Sequence, residues 1–124
     1  MGTGEILIVD DNEVVQRTMQ SVLRTYGFET RLASCGEEAL AWLRAGGAPR
    51  AVITDHLMNG MSGLELLAHV ETLAPTALQV LHTGLSTVEV SVRPGFALTV
   101  LAKPSPVALL RRLALAALDE PRRR

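Results

Sequence analysis

The chain has 124 residues, room for one compact domain and little more. Apolar residues make up 48% of it and charged residues 20%, with a formal net charge of −1. That balance supports a real core and argues against nucleic-acid binding by the domain as a whole.

The basic cluster Arg122, Arg123 and Arg124 reads as a solvated tail or linker stub over 120–124, behind a core of about 4–119. No run is long and apolar enough to span a bilayer, and Asp10 and Asp11 interrupt the first apolar stretch, so neither a membrane span nor a signal peptide is expected. One cysteine, Cys35, excludes an internal disulfide. It is consistent with a reducing compartment, and the cytoplasm is expected.

Glu5 to Val9 is a short apolar run stopped by two acids, as in a buried strand of a parallel sheet. Asn12 offers a helix N-cap. Val15, Met19, Val22, Leu23 and Tyr26 follow at helical spacing, and Gly27 closes that helix. Phe28 to Ala33 predicts a second strand. Ser34 and Glu37 have the spacing of a capping box for the next helix, with Ala39, Leu40 and Leu43 inward and Gly46-Gly47 at its end. Ala51 to Thr54 predicts a third strand, again stopped by an acid, Asp55.

Asn59-Gly60 marks a tight turn. A third helix is expected from about Ser62 to Leu73, with Leu64, Leu67, Ala68 and Val70 inward. Leu78 to His82 and Leu98 to Ala102 predict two more strands. Pro106 suits the first turn of a last helix docked by Leu109, Leu110, Leu113, Ala117 and Leu118. Between Thr83 and Lys103, the residues Val88, Val90, Val92 and Pro94 form helix poorly, so the fourth helix is expected to be shortened or irregular.

Strands alternating with helices imply an α/β fold: a parallel five-stranded sheet, doubly wound, covered on both faces in three layers. Reactive groups in such folds gather at the carboxyl ends of the strands. Asp10 and Asp11 follow the first strand, Asp55 the third, Thr83 the fourth and Lys103 the fifth. Each alone has an ordinary reading: Asp10, Asp11 and Asp55 as helix caps, Thr83 as a loop hydroxyl, Lys103 as a surface charge. Their joint placement favours a site.

Like-charged carboxylates about 4 Å apart cost roughly 4 kcal/mol per pair at an effective dielectric near 20. Lys103 and a divalent cation would offset that cost. Hard oxygen ligands suit Mg²⁺ better than zinc. A carboxylate beside such a cation is a nucleophile toward phosphorus, giving an aspartyl-phosphate. His56, His69 and His82 are scattered and are not expected to be ligands. Trp42 is expected to pack on its helix or lie partly at the surface rather than serve as a ligand platform, and Cys35 to be inert.

Ile8-Val9-Asp10-Asp11, the stretch Asp55 to Gly63, His82-Thr83-Gly84 and Lys103-Pro104 together resemble the response-regulator receiver family over nearly the whole chain. The resemblance implies a single receiver domain over 1–124 with strand order 2-1-3-4-5, as in flavodoxin-like folds. It implies Asp55 as phosphoacceptor and Mg²⁺ bound by Asp11, Asp55 and the main-chain carbonyl of Leu57. Asp10 would act through water, Thr83 as switch hydroxyl and Lys103 on the phosphoryl group. The donor would be a sensor histidine kinase or a histidine phosphotransfer protein. The product would be a signalling switch rather than an enzyme, acting as a monomer or weak dimer.

Three features depart from the family pattern. Asn59 stands where proline is usual. Val100 stands where the switch aromatic is usual, so the usual relay to an aromatic is not expected. The Thr83–Lys103 stretch is short. Leu57 and Leu85, two beyond Asp55 and Thr83, predict slow loss of the phosphoryl group. A phosphorylation-independent interaction module is the alternative. A Mg²⁺-dependent phosphatase is a further rival, opposed by the apolar Leu57 where a general acid is usual.

Overall fold

The computed structural model describes residues 5–56, 58–83 and 99–102, with Thr83 and the last four through their backbone. The element order is β1 (Ile6–Val9), α1 (Glu13–Thr25), β2 (Thr30–Ala33), α2 (Gly36–Arg44), β3 (Ala51–Thr54), α3 (Gly63–Leu73), β4 (Leu78–Thr83) and β5 (Thr99–Ala102). All pairings are parallel, in the order β2-β1-β3-β4-β5. This is the expected doubly wound sheet. The expected irregular fourth helix and the last helix lie outside the described residues.

The period-two alternation of the strands splits the core into two faces. Leu7, Val9, Val52 and Leu81 pack with Leu40, Leu43, Leu66, Leu67 and Val70, under α2 and α3. Ile6, Ile8, Ile53 and Val80 pack with Met19, Leu23 and Phe28, under α1. Both faces of β1 and β3 are therefore dry, which is why their sequences read as unbroken apolar runs.

Two local expectations are corrected. Ser34 and Glu37 do not form a capping box. The cap of α2 is Cys35, whose side chain makes no capping bond, and the Ser34 amide donates to Glu38 Oε1 at 2.8 Å. The helix starts one residue later than expected, with Gly36 packed against the Met61 side chain. That shift moves Glu38 into the returning position and frees Glu37 for another partner. In α3 the buried stripe is Gly63, Leu66, Leu67 and Val70. Ala68 faces solvent and Leu64 lies at the margin, because the helix is phased by Gly63 against the sheet. The box that does form is Ser62 with Glu65, closing both ways at the start of α3.

Trp42 packs partly on the core of α2, and Arg31 stands over its ring at 5.0 Å. Among the described residues no helix is long and apolar enough to cross a membrane.

Candidate functional site

The register extends one residue beyond the strands and sets two acids side by side. Val9 pairs with both Ala33 and Thr54. One step further, the Asp10 amide donates to Ala33 O at 3.1 Å and the Asp55 amide to Val9 O at 2.9 Å. Asp10, Asp11 and Asp55 each present a carboxylate oxygen, all within 4.8 Å of one another. Asp10 is 1% exposed and Asp55 9%, while Asp11 lies open to solvent.

The first corner is fixed by local bonds. Asp10 Oδ1 accepts the Asn12 amide at 2.9 Å. Asn12 Oδ1 accepts the amides of Val14 and Val15, capping α1 as expected. Gln16, 7% exposed, donates from its side-chain amide to Asp10 O at 2.7 Å and Ala33 O at 2.9 Å.

The second corner is longer and is held from elsewhere. Asp55 Oδ1 accepts the His56 amide at 2.8 Å, and the Gly63 amide donates to His56 O at 2.9 Å. A Cβ on Gly63 would collide with Asp55 O, so only glycine lets α3 start this close to the acid. Gly60 takes φ +82°, as the expected Asn59-Gly60 turn requires. Glu37 Oε2 accepts the Met61 amide at 3.2 Å, joining α2 to this loop.

Thr83 ends β4 at the same edge of the sheet, with its backbone in register with Ala102 of β5. Lys103 follows Ala102 in the chain. Lys103, Leu57 and the side chains of Thr83 and Val100 lie outside the described residues. His56 is half-buried beside Asp55, and His82 is buried one residue before Thr83.

Gln16, the link from Glu37 to Met61 and the close approach at Gly63 are not among the features expected from the sequence, in which Glu37 reads as a capping-box partner of Ser34. For Gln16 a signal existed: it is a polar residue in helical phase with Met19 and Leu23, the two apolar residues α1 buries. For Glu37 there was none, because its partner is distant in sequence.

Chemically, the three carboxylates are hard oxygen donors on one edge, open at Asp11 and closed at Asp10. That donor set fits a small divalent cation with water in its shell. It offers no thiolate or imidazole cluster of the kind zinc prefers, among the described residues.

A family model described as the response regulator receiver domain matches residues 6–114. A response regulator receiver protein of Anaeromyxobacter sp. (strain Fw109-5) is 37% identical over 112 residues, covering 88% of this chain and 45% of that protein. The transcriptional regulatory protein ZraR of Salmonella typhimurium is 33% identical over 105 residues, covering 83% of this chain and 24% of its own length. The chain thus spans less than half the length of these curated relatives.

Among solved structures, a CheY-like receiver domain protein of Methanospirillum hungatei matches with TM-score 0.86 at 27% identity, covering 94% of each chain. The response regulator TrrA of Thermotoga maritima, solved with Mg²⁺ and BeF, matches with TM-score 0.82 at 27% identity, covering 93% of this chain and 99% of that one. By the family match and the relatives together, this chain belongs to the response regulator receiver domain family of two-component systems.

Proposed function

We propose that Asp55 accepts a phosphoryl group from a phosphohistidine of a sensor kinase or phosphotransfer protein, and that the modified domain switches its partner interactions. The observation that carries this reading is the convergence of Asp10, Asp11 and Asp55 within 4.8 Å. Asp11, Asp55 and the Leu57 carbonyl would hold Mg²⁺ directly, and Asp10 through water. When bound, the cation supplies positive charge for the phosphoryl oxygens. TrrA, solved with Mg²⁺ and BeF, supports this assignment by analogy.

In the transfer, an Asp55 carboxylate oxygen bonds to phosphorus, the phosphorus–nitrogen bond breaks, and the released imidazole takes a proton from solvent. The His56 amide on Asp55 Oδ1 orients the carboxylate. Thr83 and Lys103 are assigned to the phosphoryl group from the strand ends that carry them. The new charge would draw both inward and bias their loops. The chain is read as a single receiver unit, and any output domain would belong to a longer protein.

The test is intact mass after incubation with a small phosphodonor and Mg²⁺. A phosphoryl adduct on the wild type and none on Asp55→Asn is expected. The adduct should outlast minutes, since Leu57 and Leu85 would restrict an attacking water; loss within seconds would refute that part. No adduct on folded, Mg²⁺-bound wild type would instead favour a phosphorylation-independent interaction module.

A further inference from the structure

We infer that Gln16 is a positioning residue: its side-chain amide stands in for the next rung of the β1–β2 ladder and holds the acid-bearing turn in place. In a parallel pair, the N–H and C=O of one residue face the same neighbouring strand. The Asp10 amide bonds to Ala33 O, so the Asp10 carbonyl also faces β2. A continuing ladder would offer it an amide from beyond Ala33. The amide in register would be that of Cys35, but β2 ends at Ala33 and Cys35 is already the N-cap of α2.

Gln16 fills that gap. Both of its partners are carbonyl oxygens, so only its nitrogen can face them, and it donates to both at 2.7 and 2.9 Å. The side chain is 7% exposed, so solvent is a poor substitute. Its own backbone amide donates to Asn12 O at 3.1 Å, the first helical bond of α1. Asn12 in turn donates to Asp10 Oδ1. The turn that presents Asp10 and Asp11 is therefore a closed circuit, with Gln16 gripping it at both ends.

The consequence for cation binding rests on the receiver reading; the ordering of the turn does not. Groups that orient a metal's ligands change affinity by roughly ten- to a hundredfold when removed. The comparison is Gln16→Met, which keeps length and loses both donors, against Met19→Ala, which damages the same helix one turn on. Two quantities are read at a temperature where both variants are folded: amide exchange of the metal-free protein, and Mg²⁺ affinity by calorimetry.

Gln16→Met should speed exchange at the Asn12 amide by about tenfold, leaving Leu7 and Ile8 unchanged. It should weaken Mg²⁺ binding by about tenfold. Met19→Ala should do neither. Gln16→Arg, which restores two N–H donors, should return Asn12 exchange toward the wild-type rate. Should Gln16→Met fail to fold, Gln16→Asn retracts the same amide by one methylene and should show the same pattern at smaller size.

Asn12 exchange no faster than in Met19→Ala would overturn the assignment. A loosened turn with unchanged Mg²⁺ affinity would overturn the positioning role. A wild-type protein that bound no Mg²⁺ would remove the cation reading, and the exchange data would still decide whether Gln16 orders the turn.

Discussion

The chain passes from β1 to α1 within Asp10 to Asn12, whereas from β3 to α3 it travels from Asp55 to Ser62. Both segments leave adjacent strands at the same edge and deliver acids to one spot. The short corner is stabilised largely by its own residues: Asp10, Asn12 and Gln16 bond to backbone groups close in sequence, and Gln16 also reaches the more distant Ala33. The long corner depends on two glycines and on α2, through Glu37. A short connection can be ordered by side chains that follow it directly. A long one must be ordered by contacts with the rest of the fold, and its order is then coupled to that fold's stability.

The largest effect that tests this comparison is expected at Gly63. In Gly63→Ala the new Cβ meets the Asp55 carbonyl, a backbone atom at a strand end, which cannot rotate out of the way. Either α3 or the end of β3 must move. Overpacking of this kind costs about 3 kcal/mol. A urea titration should show a correspondingly lower midpoint, and phosphorylation of the folded fraction should fall as well. A variant as stable as wild type would mean that α3 is free to shift, and the long corner is then not held by close packing.

A smaller effect is expected at the short corner. Asn12→Ala removes the acceptor for the Val14 and Val15 amides. Loss of such a cap costs about 1 kcal/mol. Asp10 keeps its bonds to the Asn12 amide and to Gln16, since neither uses the Asn12 side chain. The urea midpoint should therefore drop modestly while Mg²⁺ affinity stays within about twofold, the Asp10 anchors being untouched. A large loss of affinity would show that the acids are ordered by the helix cap rather than by Gln16.

These two corners also mark how far the sequence could be read. The strands of the buried sheet were legible because both faces are dry and each run stops at an acid or a hydroxyl: Ala51 to Thr54 falls where β3 is found. The edge strand β2 is shorter than the Phe28 to Ala33 run. Phe28 belongs instead to the connection after α1, where its amide bonds back to Leu23 O. The Asn12 cap was legible because it acts on residues two and three ahead. The start of α2 was not, since Ser34 and Cys35 compete for the cap and the choice is set by packing of Gly36 on Met61. The phase of α3 failed at Ala68 for a similar reason. A helix rich in leucine offers several stripes, and the contact of Gly63 with Asp55 selects among them.

The smallest effect concerns the link that the sequence could not announce. Glu37 is exposed, and its bond to the Met61 amide is 3.2 Å long, so its net contribution is about 0.5 kcal/mol. Glu37→Ala should hardly move the urea midpoint. Its signature is local: the Met61 amide loses its acceptor and should exchange faster, while the Asn12 amide, held by Asp10, should not respond. Glu37→Gln keeps a carbonyl oxygen at the same reach and should retain most of the Met61 protection. If Glu37→Ala left Met61 protected, the loop would be ordered by its own turn at Gly60 and by the Ser62–Glu65 box, without help from α2. If it loosened Asn12 as well, the two corners would be one cooperative unit, and the contrast between a self-ordered turn and a fold-ordered loop would not hold.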